Sequence, residues 1–366
     1  MNGKIICELL PNETNTRNSE GAFITLKNND ILFAYSRYGA QPGDNAAANL
    51  YGMISRDNGE SFGEPFPLCM AKEFGADNLM SVSFLRMQND DIGMFFLAKS
   101  KTDQCICYLM RSADEGKTWG EPVLCSDPEG YFVVNNDRAL RLADGTVIVP
   151  SALHKTESAF DENGKQYVSC MHPGELYFFV SEDDGRSFHT RKAHPSVFTT
   201  PYCNSGLQEP CLTELHDGSL WCLSRTGYGS QYELFSKDQG KSWTEARPSY
   251  FTSPCSPLCM KRLSDDRLLA IWNPIPLYNG RKEKIDGMWT GARTPLAAAA
   301  STDDGKTFSD YTLLETDEER GFCYTAIHEL SDGSLLLAYC AGGVEDKSTL
   351  CRLRIRKLSA EEVSAI

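Results

Sequence analysis

One pattern of apolar and polar positions recurs six times along the chain: an apolar residue, a polar turn of two to four residues, then an apolar run. It reads Leu26-Lys-Asn-Asn-Asp30-Ile31, Met87-Gln-Asn-Asp-Asp91-Ile92, Leu142-Ala-Asp-Gly145-Thr-Val147, Leu215-His-Asp-Gly218-Ser-Leu220, Leu263-Ser-Asp-Asp266-Arg-Leu268 and Leu330-Ser-Asp-Gly333-Ser-Leu335. Asp-Gly between two apolar runs is a hairpin signal, because a tight turn needs residues that tolerate positive φ while the flanking runs pair and pack. The spacing predicts six hairpins.

A second pattern is interleaved with the first: Ser55-Arg-Asp57-Asn-Gly59-Glu-Ser-Phe62, Ser112-Ala-Asp114-Glu-Gly116-Lys-Thr-Trp119, Ser181-Glu-Asp183-Asp-Gly185-Arg-Ser-Phe188, Ser236-Lys-Asp238-Gln-Gly240-Lys-Ser-Trp243 and Ser301-Thr-Asp303-Asp-Gly305-Lys-Thr-Phe308. In such a box the Asp carboxylate accepts backbone N–H groups, the Gly takes positive φ and the aromatic ring buries itself to pin the turn. These Asp residues are expected to form turns, not to catalyse.

Each hairpin but the last is followed by a box, so six hairpins continued into box-linked second pairs of strands predict an all-β fold. The expected architecture is a six-bladed β-propeller with four-stranded antiparallel blades, a single domain over residues 1–366. Because no box follows the sixth hairpin, its blade is expected to be completed by 349–358 and an N-terminal strand near 4–10. Only 360–366 has helical composition.

The chain has 366 residues, 41% of them hydrophobic and 23% charged, which is ample for a core. Lys plus Arg total 36 against 50 Asp plus Glu, net charge −14, with no basic run to neutralise a phosphate backbone, so nucleic acid is not an expected partner. The longest apolar runs are strand length, far short of the roughly 20 residues that span a bilayer, so no membrane contact is expected. The start lacks the apolar core and cleavage site of a secretory signal, and fourteen scattered cysteines suit reduced, buried thiols. A cytoplasmic location is the expectation, with a trimmed signal left open. Neither Cys nor His shows metal-ligand spacing, so no metal or organic cofactor is expected.

In a propeller the innermost strands converge on an axial channel, so residues at the open end of each inner hairpin share one pocket. Counting about seven residues past each turn gives Arg37, Ala98, Ala152, Arg225, Asn273 and Cys340. Counting nine or ten before it gives Glu20 or Gly21, Asn136 with Asp137 beside it, Glu209, Ser256 or Pro257, and Tyr324. Cross-hairpin pairing sets Glu209 beside Arg225, with Tyr324 facing the same axis. A Tyr beside a carboxylate that accepts its proton is an activated nucleophile in outline. The Gly/Pro-shaped loop 38–45 hangs over the mouth, and Asp44 is its only acid.

These residues resemble the sialidase (neuraminidase) superfamily, in its bacterial branch with Asp-box (BNR) repeats, and the resemblance runs through the whole chain. Gln208-Glu209-Pro210 followed by Leu223-Ser-Arg225 is similar to the segment carrying the glutamate partner and one arginine of the carboxylate-binding triad. Asn273-Pro274 and then Arg293-Thr-Pro-Leu296 looks like the segment of another triad arginine, and Cys323-Tyr324-Thr resembles that of the nucleophilic tyrosine. Asp44 matches the acid/base aspartate. The resemblance implies a retaining exo-glycosidase acting on a terminal acidic sugar of a glycan, sialic acid or a related 2-keto sugar acid. Tyr324, Glu209 and Asp44 would be catalytic, with Arg225, Arg293, Arg37, Glu20, Asp137 and Asn273 binding substrate.

One departure stands out. The family's first triad arginine opens the first inner strand, and here that strand opens Asn18-Ser19-Glu20-Gly21, with Glu20 or Gly21 in the arginine's place. Arg17 is the nearest arginine and Arg37 is expected to lie beside position 20. An acid in a carboxylate reader opposes a carboxylate ligand, so the rival expectation is a catalytically inactive carbohydrate-binding propeller.

Overall fold

The computed structural model describes residues 3–101, 103–127, 129–160, 166–169, 173–200, 203–277 and 282–366. The protein is all-β, and every one of the six turn patterns joins two antiparallel strands. The first joins Asn18–Thr25 to Ile31–Tyr38, the second Asn78–Arg86 to Ile92–Lys101, and the third Leu140–Arg141 to Val147–His154. The fourth joins Gln208–Glu214 to Leu220–Arg225, the fifth Cys259–Arg262 to Leu268–Trp272 and the sixth Cys323–Glu329 to Leu335–Cys340.

Each hairpin grows outward by antiparallel pairing. In the fourth sheet, for example, Ser230–Ser236 and then Arg247–Thr252 follow, and in the fifth Leu296–Ser301 and Thr312–Glu315. The first three sheets run into one another through single parallel pairings, Ala48 with Asn78 and Tyr131 with Cys105. In the sixth, the third strand is Leu353–Leu358 and the outermost is Lys4–Leu9, which pairs antiparallel with it, so the chain's beginning completes the sheet that its end began. The last turn, Ala360–Ser364, is a short helix capped by Ser359, whose side chain accepts from the Glu362 N–H.

The five boxes form one stereotyped turn between third and fourth strands. In the fourth sheet Asp238 Oδ1 accepts from the Ser242 N–H at 2.8 Å, Oδ2 from the Ser242 hydroxyl, and Ser236 Oγ accepts from the Gly240 N–H. Gly240 sits at φ 80° and Gln239 before it at 58°. The aromatic residue closes the packing, and Trp243 stacks on Phe178 of the preceding sheet at 4.7 Å.

The apolar core is divided into six clusters, each between two neighbouring sheets. Val82 and Phe96 meet Leu32 and Ala34, Val149 and Phe179 meet Phe95 and Leu97, and so on round to Phe23 and Phe33, which meet Ala338 and Leu353 of the sixth sheet. Sheet faces that lean on both neighbours explain why the strands read as near-continuous apolar runs instead of alternating ones. The thirteen described cysteines are free thiols, ten of them buried. Among the described residues no helix is long and apolar enough to cross a membrane.

Candidate active site

Four of the six first strands carry the same local irregularity. The register shifts between Ser19 and Ala22, between Met80 and Ser83, between Gln208 and Cys211, and between Cys323 and Ala326. In each shift two residues oppose one on the partner strand, which is a β-bulge, and the first of the two has left-handed backbone: Glu20 at φ 57°, Ser81 at 61°, Glu209 at 39° and Tyr324 at 59°. A bulge re-aims a side chain, and strained backbone of this kind collects at functional sites. All four side chains line one cavity of about 450 Å³, together with Asp44, Arg225 and Arg293.

Two charged clusters face each other there. In the first, the Tyr324 hydroxyl donates to Glu209 Oε1 at 3.1 Å, and Arg225 Nη1 donates to Glu209 Oε2 at 2.7 Å and lies 3.5 Å from the tyrosine oxygen. Burial, the largest single effect, would raise the Glu209 pKa, but Arg225, Arg293 and the Tyr324 hydrogen bond together hold the carboxyl below its ordinary range. Burial, and then the Glu209 charge, push the Tyr324 hydroxyl well above the usual phenol range, so it is a neutral donor aimed at an ionised acceptor. The Arg293 guanidinium packs against the Tyr324 ring at 5.4 Å and the Trp289 ring at 4.6 Å.

In the second cluster Arg17 is the hub. Its Nη2 donates to Glu20 Oε1 at 2.7 Å, its Nη1 to Asp44 Oδ1 at 2.5 Å and its Nε to Ser19 Oγ at 2.9 Å. Glu20 Oε2 accepts from the Ser81 hydroxyl at 2.6 Å. Lys99 Nζ donates to the Asp44 carbonyl at 2.8 Å, tying the loop down. The Asp44 side chain sits at the rim, 62% exposed. Desolvation there would raise its pKa, but Arg17 and Lys99 prevail and bring it to about 2. Glu20 goes the other way, raised by burial more than Arg17 lowers it.

The sequence pattern therefore brings Tyr324, Glu209, Asp44, Arg225, Arg293 and Glu20 to one cavity. Three expected binding residues are not there. Arg37 pairs with Asn18, not with position 20, the bulge accounting for one of the two residues of difference, and its guanidinium stacks on Tyr51 at 4.7 Å. Asp137 is consumed by structure: both oxygens accept from Lys261 Nζ at 3.0 Å and Oδ2 also from the Ile327 N–H. Asn273 ties its own sheet together, accepting from Ser256 Oγ and donating to the Pro295 carbonyl.

Other residues of the cavity escaped the sequence reading. Ser81 was within reach of it, since it stands nine positions before the positive-φ turn residue Asp90, as Glu20, Glu209 and Tyr324 stand before Asn29, Gly218 and Gly333. Lys99, Tyr131, Asn135, His154 and Trp289 carry no such signal, because they enter from strand ends and loops of different sheets.

Residues 71–337 match the family model described as the BNR repeat-like domain. The chain belongs to the BNR repeat-like family. It is a sialidase-like member of that superfamily. Over 241 residues, 63% of the chain, it is 24% identical to a sialidase of Bacteroides fragilis, of whose length the match spans 38%. Among solved structures it is similar to a leech intramolecular trans-sialidase complexed with 2,7-anhydro-Neu5Ac, with TM-score 0.71, 13% identity and coverage of 100% of this chain and 71% of that one. It also resembles the intramolecular trans-sialidase of Ruminococcus gnavus in complex with oseltamivir carboxylate, with TM-score 0.65, 13% identity and coverage of 99% and 98%.

Proposed function

We propose that this BNR-family protein is a retaining exo-glycosidase of sialidase type, on a single six-bladed β-propeller, that hydrolyses a terminal acidic sugar from a glycan. The observation that carries the reading is the Tyr324–Glu209 hydrogen bond, with Arg225 and Arg293 on the same cavity and Asp44 on its rim. Six hairpins, each extended by further antiparallel strands and packed on the next in order, the sixth on the first, support the propeller.

In this mechanism Tyr324 Oη attacks the anomeric carbon as its proton passes to Glu209, and Asp44 protonates the departing glycosidic oxygen. Asp44, now a carboxylate, then draws a proton from water, which attacks the same carbon and releases Tyr324, whose oxygen recovers its proton from Glu209. A neutral tyrosine suits an anomeric carbon that already carries a carboxylate, because an anionic nucleophile would be repelled. Arg225 and Arg293 would hold that carboxylate.

The binding-only alternative draws on one observation: Arg17 is already spanned by Glu20 and Asp44, leaving two arginines facing the cavity. A panel of aryl glycosides that includes a sialoside and related 2-keto sugar acids separates the two. Turnover lost in Tyr324→Phe supports the enzyme; saturable sugar binding without turnover by the unmodified protein overturns it in favour of the binding module.

A further inference from the structure

The two arginines that face the cavity are held from behind by sulfur. Arg293 is 1% exposed, and among the described residues no carboxylate pairs with it. Its Nη1 donates to Cys323 Sγ at 3.0 Å and its Nη2 to the Cys255 carbonyl at 3.2 Å, while Nε is buried with no partner. Arg225 donates through Nε to Cys255 Sγ at 3.3 Å, so Cys255 touches both guanidinium groups, one with its side chain and one with its backbone. Cys323 is itself backed by a thiol, for it pairs directly with Cys340 on the neighbouring strand, and both are buried.

We infer that Cys323 and Cys255 are positioning residues for the proposed reaction, their sulfurs fixing the orientation and charge of Arg293 and Arg225 toward the acidic group of the substrate. A buried guanidinium without an anionic partner is costly, because desolvation is uncompensated. For Arg293 the Cys323 sulfur is the side-chain acceptor within reach, and it offsets that cost most in the form whose proton has been drawn away. The groups that face Cys323 favour this form on balance: burial opposes ionisation, but the bond from Cys340 and the Arg293 charge lower its pKa, against a smaller opposing effect of Glu209. Cys340 is pushed up correspondingly, by burial and by sharing its proton with Cys323. Of the two, Cys323 is thus the one that gives up its proton first, and its sulfur is the one on the arginine. A sulfur anchor is also softer than a carboxylate: it directs the guanidinium without competing strongly for the bidentate edge that a ligand carboxylate needs.

The inference rests on the sugar-acid reading of the site, so one readout is independent of it. Cys323→Ala should raise KM for the acidic glycoside about tenfold to a hundredfold, the scale of one charge-assisted hydrogen bond, with kcat changed far less. Cys255→Ala should act in the same direction, and Cys323→Ser should recover part of the loss because a hydroxyl still accepts from Arg293. A fall in kcat with KM unchanged, accompanied by a lower melting temperature, would overturn the positioning role. Separately, the ultraviolet thiolate absorbance of the unmodified protein minus that of Cys323→Ser, followed as pH is raised from about 6 to 10, should show one thiol that ionises below the ordinary cysteine range. Its absence overturns the inference whether or not the protein cleaves any sugar, whereas its presence in a protein that neither binds nor cleaves sugar acids keeps the arginine anchor and discards the proposed function.

Discussion

The hydroxyl of Tyr324 donates to Glu209 Oε1 across 3.1 Å, although 115 residues separate the two. Both stand at the same place in their sheets, the left-handed first residue of a β-bulge in the first strand of the hairpin. The repeat thus does more than stack sheets. By bending four inner strands identically it aims Glu20, Ser81, Glu209 and Tyr324 into one cavity, and sequence divergence at a single repeated position sets the chemistry.

Tyr324→Phe keeps the ring under Arg293 but removes the hydroxyl proposed as nucleophile. It should lower kcat/KM on an acidic aryl glycoside on the order of a hundredfold or more, and Glu209→Gln should lower it comparably, because the proton acceptor is lost. Steady-state kinetics checks both, and the double variant should cost little more than either single one, since the pair acts as a unit. Additive losses would mean the two side chains act separately.

Asp44 must carry a proton to protonate a leaving oxygen, yet Arg17 and Lys99 bring its pKa to about 2 in the free protein. Above that value the protonated fraction falls with rising pH. For a substrate with a poor leaving group, kcat/KM should therefore decline as pH is raised from about 4 to 7, whereas a nitrophenyl glycoside, which departs unaided, should show no such limb. Asp44→Ala should remove the difference in pH profile and slow only the first substrate. Equal losses on both would take Asp44 out of the acid/base role.

The box carboxylates are depressed as well, Asp57, Asp114, Asp183, Asp238 and Asp303 each to about 2. For Asp238 the hydroxyl and then the N–H of Ser242 are the leading causes. A depressed folded-state pKa contributes stability that is complete above the unfolded value near 3.8 and is lost as pH falls through the folded one. Thermal melts should lose midpoint temperature steeply between about pH 4 and 2, and Asp238→Asn should flatten that slope while lowering stability at neutral pH.

Gly240 sits at φ 80° with Trp243 Cζ2 at 3.5 Å from the place of a Cβ, so a side chain there meets strain and not a clash. Gly240→Val should cost on the order of 1 to 3 kcal/mol by denaturant titration, the scale of forced left-handed backbone in a β-branched residue. Gly63→Ala, where φ is not in the left-handed region, should be nearly neutral.

How far the site was legible can be argued residue by residue. The nine-position count back from a turn finds Tyr324, Glu209 and Glu20, because hairpin length is a local property and each hairpin is built alike. The same count, applied to cross-strand neighbours, misplaces Arg37 by two residues: the bulge adds one residue to the first strand, and the rest is error in the count itself, since an unbulged register would already have set Arg37 opposite Ser19. Asp137 and Asn273 lie at the expected height, but Asp137 is taken by Lys261, 124 positions away, which no local pattern encodes, and Asn273 by Ser256 across its own hairpin, 17 positions away.

What the sequence by itself determined is the repeated unit: six hairpins and five boxes, consequences of turn chemistry and apolar runs acting over a few residues, with the missing sixth box pointing to the N-terminal strand that completes the last sheet. What only the tertiary structure decided is which charges meet. Arg17, outside the position the repeat assigns, swings its guanidinium between Glu20 and Asp44, and Arg293 finds sulfur where Arg225 has both sulfur and the Glu209 carboxylate. The physical reason is that backbone repetition follows from local steric and hydrogen-bonding rules, whereas a buried charge takes whatever partner the packing of distant sheets brings within about 3 Å of it.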